Sequence, residues 1–218
     1  MTNNSLECVV FDLDGTLTMS HDSIYKTTLK TLSEFNIEAK FTYEDFLDKI
    51  GLHFQDIFDD FGMNVPDVEN FINVYKSLYF DFIDATKLYP GVESLLQNLK
   101  ADDYKIVLLT TKGQDQAEKI INHFNLSGYF NFIMGRRPGM AHKPSAEPLQ
   151  FICDQLNVAV DKTLMIGDSE MDIRCGKNAG SKTCAVTFGY RTKEALAAEN
   201  PDFIIEHFNE FINIVNHK

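Results

Sequence analysis

Positive charge is scarce in this chain. Its 218 residues carry 20 lysines and arginines against 32 aspartates and glutamates, a formal net charge of −12. That balance excludes a phosphate-neutralising surface, and with it nucleic acid as a partner. Long apolar runs are also missing. No stretch approaches the roughly 18 uninterrupted apolar residues of a membrane span, so no membrane is expected as a partner. The first five residues lack the basic-then-apolar pattern of a secretory leader. Cysteine is limited to Cys8, Cys153, Cys175 and Cys184, without the paired spacings of a zinc site or a disulfide framework. They read as small buried residues of a reducing compartment, and the expected location is cytoplasmic. Internal repeats and low-complexity tracts are absent, and the length suits one core with a modest insertion.

What is present is an alternation of element types. Val9-Val10-Phe11 leads into Asp12-Leu13-Asp14-Gly15-Thr16. From about residue 17 to 87 apolar residues recur at helical spacing: Ile24, Leu29, Leu32 and Phe35, then Phe71, Ile72, Tyr75, Leu78, Tyr79 and Phe82. Gly51, Gly62 and Pro66 punctuate that stretch. After Tyr89 the texture changes. Residues 105–110, 130–134, 163–168, 181–187 and 203–205 read as short apolar strands. Between them, Val92, Leu95, Leu96 and Leu99, then Ala117, Ile120, Ile121 and Phe124, then residues 146–156, read as amphipathic helices. The pattern predicts an α/β fold, a parallel sheet covered by helices on both faces and interrupted after its first strand by a helical insertion. Ligands of such sheets sit beyond the carboxyl ends of the strands.

Those ends carry the chemistry. Asp12 and Asp14 are spaced i, i+2, so they can converge on one point past the first strand and share a hard cation; Asp14-Gly15 also suits a simple turn. Thr110-Thr111-Lys112-Gly113 ends a second strand, where a hydroxyl and backbone N–H groups can bind phosphate oxygens or merely cap the next helix. His142-Lys143-Pro144 follows the short strand at 130–134, and its lysine is either a point cation for a phosphoryl group or an exposed side chain. Asp168 ends another strand, and Asp172 lies four residues on, expected one helical turn away on the same face. That pair suits one direct metal ligand and one supporting carboxylate; a helix N-cap at Asp168 or Ser169 is the alternative.

In sequence order, Asp12-x-Asp14, Thr110, Lys143 and Asp168-x-x-x-Asp172 resemble motifs I to IV of the haloacid dehalogenase-like superfamily. The likeness runs from about Leu6 to Thr187. The insertion resembles the helical cap of its phosphoglycolate phosphatase and β-phosphoglucomutase-like branch, as do Thr110-Thr111-Lys112 and Tyr89-Pro90-Gly91. Two positions depart from that branch: Met19-Ser20 stands where Asp-Ser often follows motif I, and Ala146 replaces the second proline of Lys-Pro-x-Pro.

The resemblance implies a Rossmann-like core over residues 1–16 and 88–218, with a cap over 17–87. It implies a Mg²⁺-dependent phosphatase acting through an aspartyl-phosphate. Asp12 is then the nucleophile and Asp14 the acid and base. Thr110 and Lys143 grip the phosphoryl oxygens, with Thr111 and Lys112 on the substrate. Asp12, Asp14 (through its carbonyl), Asp168 and, as an auxiliary, Asp172 hold the metal. His53 falls where a cap loop of such proteins faces the substrate. A sugar phosphomutase is the alternative. Residues 17–87 hold six lysines, thirteen acidic residues and no arginine, a poor clamp for a second phosphate. The expected partner is therefore a small organic phosphate monoester, and the expected assembly a monomer or homodimer.

Overall fold

Four consecutive, fully buried residues, Cys8–Phe11, form strand β1 at the middle of the sheet. A continuous apolar run of this length can be buried on both faces, as a parallel sheet requires. The computed structural model describes residues 6–211 and residue 214. The first five residues, read above as carrying no leader, lie outside them. The chain divides into two compact units, residues 1–17 with 88–218, and Thr18–Lys87.

The first unit is an α/β sandwich. Its strands are β1, β4 (Lys105–Gly113), β5 (Phe132–Arg136), β6 (Thr163–Gly167), β7 (Lys182–Val186) and β8 (Phe203–Ile205), in the order β5-β4-β1-β6-β7-β8. Every neighbouring pair is parallel. Five helices flank them: α5 (Val92–Ala101), α6 (Gln114–His123), α7 (Glu147–Leu156), α8 (Glu170–Ala179) and α9 (Lys193–Ala198). Alternation along β1 assigns the faces. Cys8 and Val10 join a core with Leu149, Ile152 and Cys153 of α7 and Cys175 of α8. Phe11 points the other way and meets the Phe208 ring edge-on at 6.4 Å. All four cysteines are free and buried. Among the described residues no helix is long and apolar enough to cross a membrane.

Two strands differ by two residues or more from the bounds expected from the sequence. β5 begins at Phe132 instead of 130, because residues 127–129 turn as a 3₁₀ helix and Asn131 uses both its N–H and its side-chain oxygen on Ile106. β4 continues past its apolar run to Gly113, with a slip of register against β5 between Leu109 and Gly113. That extension carries Thr110, Thr111 and Lys112.

The second unit is helical: α1 (His21–Glu34), α2 (Tyr43–Leu47), α3 (Phe54–Asp60), α4 (Val68–Leu78) and a 3₁₀ helix at Tyr79–Ala85. Two-residue strands β2 (Thr18–Met19) and β3 (Lys87–Leu88) pair at its ends. Apolar periodicity understates α1, whose buried face includes Ser23, Thr27, Thr28 and Thr31. The three threonine hydroxyls donate to carbonyls one turn back, at 2.6–2.8 Å, so their burial leaves no unmet donor. Aromatic rings fill the centre: Phe54, Phe58 and Phe71 meet pairwise at centroid distances of 4.9–5.6 Å.

Candidate active site

Register places the strand ends side by side. Phe11 of β1 pairs with Leu108 of β4 and Ile166 of β6. One residue past Phe11 stands Asp12; two past its partners stand Thr110 and Asp168. The Asp12 N–H donates to the Ile166 carbonyl at 2.9 Å, so the strand pairing itself aims this carboxylate. Oxygens of Asp12, Asp168 and Asp172, all three buried, lie within 4.8 Å of one another.

Lys143 closes one side of this cluster. Its Nζ donates to Asp12 Oδ1 at 2.7 Å and to Asp172 Oδ1 at 2.5 Å. The sequence left an exposed lysine open; the side chain is 3% exposed. Two contacts from α8 pin the loop that carries it: Asn178 Nδ2 donates to the Pro144 carbonyl and Cys175 Sγ to the Ser145 carbonyl. Burial works against the ammonium, but Asp12 and Asp172 outweigh it and raise its pKa above the ordinary lysine value.

Asp168 and Asp172 are not an i, i+4 pair on one helix. Asp168 precedes α8, Ser169 is the N-cap, and Asp172 is the third residue of the first turn. Asp172 Oδ2 accepts the Ser169 N–H and hydroxyl, at 3.1 and 2.6 Å, in a reciprocal capping arrangement. Its other oxygen accepts from Lys143 Nζ, so Asp172 is tied both to the start of the helix and to that lysine. Asp168 is held from two sides: the Thr16 hydroxyl donates to Oδ1 at 3.1 Å and the Tyr190 N–H to Oδ2 at 2.8 Å. Packing here is tight enough to require glycine. A Cβ on Gly15, whose φ is +87°, would lie 2.2 Å from Asp168 Oδ2, and one on Gly167 would lie 2.1 Å from Asp172 Cγ.

Asp14 lies beyond Asp12 and does not join the three-carboxylate cluster. Lys112 Nζ donates to both of its oxygens, at 3.2 and 2.9 Å. Thr110 is buried, and its Oγ1 accepts the Lys112 N–H at 3.2 Å; it does not cap α6, whose N-cap is Gly113. Thr111 is half-buried between them. His53 belongs to the second unit. There it is the N-cap of α3, its Nδ1 accepting the Gln55 N–H at 3.3 Å.

The electrostatics favour a cation. Burial first, then the neighbouring carboxylates, push Asp168 up to about 8; burial pushes Asp12 up to about 7 against the pull of Lys143. Three converging carboxylates, dehydrated and mutually repelling, form a hard-oxygen donor set of the kind Mg²⁺ takes, and a cation among them would relieve both costs. The donor chemistry therefore fits a divalent metal.

Comparison with known proteins identifies the family. The family model for haloacid dehalogenase-like hydrolases matches residues 9–186. The chain is 33% identical over 214 residues to the PpaX protein of Clostridium perfringens, covering 96% of this chain and 97% of that one. It is 31% identical over 208 residues to pyrophosphatase PpaX of Listeria monocytogenes, covering 95% of each. Solved structures described as phosphatases, from Clostridium difficile and Clostridium acetobutylicum, superpose with TM-scores of 0.83 and 0.84 at 28% and 27% identity. Both matches cover 97% of this chain and 99% of theirs. The chain belongs to the haloacid dehalogenase-like hydrolase family, with phosphatase-named relatives along nearly its whole length.

Proposed function

We propose that the protein is a Mg²⁺-dependent phosphatase that transfers the phosphoryl group of a small phosphate compound to Asp12 and then to water. The observation that carries this reading is the setting of Asp12. It is a buried carboxylate at the end of the central strand, in contact with a buried lysine, and it shares a cluster with two further carboxylates.

An Asp12 oxygen attacks phosphorus while the bond to the leaving oxygen breaks with its electron pair, and Asp14 gives that oxygen a proton. In the second half Asp14 takes a proton from water, the water oxygen bonds to phosphorus, and the Asp12–phosphorus bond breaks. Lys143 neutralises charge on the transferring group, and Thr110 with the N–H groups around Thr111 receives its oxygens. Asp12, Asp168 and the Asp14 carbonyl would hold Mg²⁺, which would supply charge neutralisation between the anionic phosphate and the anionic carboxylate. Asp172 keeps Lys143 in place, and His53 is the candidate contact contributed by the helical unit.

The acidic, arginine-free stretch at 17–87 supports a compact monoester over a bisphosphorylated sugar. The pyrophosphatase name of the Listeria relative adds inorganic pyrophosphate to the substrates worth testing. The test is phosphate release with Mg²⁺ over a panel of monoesters and pyrophosphate, on the native protein and Asp12→Asn. Release by the native protein that disappears in Asp12→Asn is the expected result. Equal turnover by both proteins would remove Asp12 as nucleophile, and conversion of a sugar phosphate to its isomer without release would replace the phosphatase with a mutase.

A further inference from the structure

The site contains two lysines with different partners. Lys143 faces Asp12 and Asp172, while Lys112 holds Asp14 through both carboxyl oxygens. Building on the acid–base reading of Asp14 above, we propose that Lys112 is a positioning residue: it fixes the Asp14 carboxyl in the plane and orientation needed to pass a proton to the leaving oxygen.

Three observations support this. First, Asp14 lies past the last residue of β1, beside the turn at Gly15, where a backbone bridge fixes its main chain and Lys112 Nζ reaches both oxygens of its carboxyl. Second, Lys112 is delivered by the irregular end of β4. Register against β5 slips between Leu109 and Gly113, and irregularities of this kind re-aim side chains near active sites. The Lys112 N–H is itself tied to Thr110 Oγ1 at 3.2 Å, which couples this lysine to the proposed phosphoryl-binding residue. Third, the two side chains are 8% and 15% exposed, so water screens the pair weakly and the contact can hold a long, rotamer-rich lysine in one place.

An ammonium suits this task. It has three donors and no acceptor. Because Nζ reaches both Asp14 oxygens, it restrains rotation of the carboxyl about its bond to Cβ. A misplacement of about 1 Å at such a group costs on the order of 10²-fold in rate.

The measurement is leaving-group dependence in Lys112→Met. The value of kcat/KM reports the steps through departure of the leaving group. For an alkyl phosphate, whose alkoxide needs the proton, kcat/KM is expected to fall about 10²-fold. For 4-nitrophenyl phosphate, whose phenolate leaves unprotonated, it changes less than about threefold, while kcat falls because breakdown of the Asp12 phosphoester still uses Asp14 as base. Lys112→Arg is expected to restore part of the alkyl phosphate rate. Asp14→Asn is expected to give the same split, with Lys112→Met adding little to it. If Asp14→Asn discriminates between the substrates but Lys112→Met lowers both kcat/KM values equally, Lys112 acts on the phosphate or the fold, and the proposal is overturned. If Asp14→Asn shows no discrimination, the acid–base reading of Asp14 fails, and the proposal for Lys112 falls with it.

Discussion

Replacing Lys143 by methionine removes the ammonium that stands 2.7 Å from Asp12 and 2.5 Å from Asp172 and leaves the rest of the side chain in place. All three side chains are almost wholly buried, so water cannot take over the lost interaction. Breaking one buried ion pair by deleting a partner costs about 3–5 kcal/mol. Two carboxylates lose their counter-charge here, which places the variant near the upper end. For a chain of this size each kcal/mol lowers Tm by roughly 2–4 °C, so the expected drop is about 10–20 °C at pH 8. The pH dependence follows from the direction of the shift on Asp12. Its folded-state pKa already stands at about 7, above the ordinary carboxylate value, because burial outweighs the pull of Lys143. Removing the lysine raises it further. A carboxyl raised on folding gains protons relative to the unfolded chain as pH falls, so the variant recovers stability relative to the native protein between pH 8 and pH 5. Thermal unfolding in chelator, followed by circular dichroism at pH 8 and pH 5.5, measures both effects. A Tm loss under about 2 °C at pH 8, or a larger loss at pH 5.5 than at pH 8, would refute the reasoning. Adding Asp172→Asn to the variant is expected to return part of the lost stability.

Mg²⁺ is expected to raise Tm, and to raise it more at pH 8 than at pH 5.5, because Asp12 and Asp168 take up protons below about 7 and 8 and then compete with the metal; titration of Tm against MgCl₂ at the two pH values checks this. Gly15→Ala must place a Cβ 2.2 Å from Asp168 Oδ2 on a backbone of positive φ. It is expected to lower stability by about 1–2 kcal/mol from backbone strain alone and to weaken Mg²⁺ binding, read by urea unfolding and calorimetry. Thr16→Val deletes the hydroxyl that donates to Asp168 Oδ1, and an apparent Mg²⁺ affinity weakened about 10-fold is expected from activity titrations. Arg174→Ala removes an exposed pair with Glu199 and is expected to leave Tm and kcat unchanged, a control for the buried substitutions.

The order of elements after Tyr89 was legible because buried strands in a parallel sheet must be continuously apolar, and helices between them must carry one apolar face. Those constraints write themselves into Val9-Val10-Phe11 and Leu164-Met165-Ile166. Asp12 and Asp168 stood out for the opposite reason, as polar groups at the ends of apolar runs, whereas Lys143, in a loop, drew its weight only from the family resemblance. Less visible were contacts made by common residues in ordinary turns. Thr16 and the Tyr190 N–H hold Asp168, and nothing in their spacing from it, 152 and 22 residues away, marks them. Asp172 was read as one helical turn from the strand-end Asp168 and on its face, but Asp168 stands before the helix begins. The Ser169-x-x-Asp172 spacing does hold a capping signal, and it moves the helix start one residue past the serine. The extension of β4 to Gly113 was hidden because Thr111-Lys112-Gly113 has neither apolar character nor alternation, and only its partner strand reveals it.

The position of β1 at the centre of the sheet has a consequence for how the chain reaches this structure. Its two neighbours are β4 and β6, which begin at residues 105 and 163. During synthesis the strand that leads into Asp12 precedes both neighbours and waits with two open edges until residue 113 has followed, and with one until residue 167 has. Contacts this distant in sequence slow folding and prolong exposure of an apolar strand. The helical stretch at residues 18–87, whose contacts are local, can form in that interval. Chains released before residue 167 should therefore contain helix yet aggregate through residues 8–11, a vulnerability that belongs to the order of the strands and not to the chemistry they support.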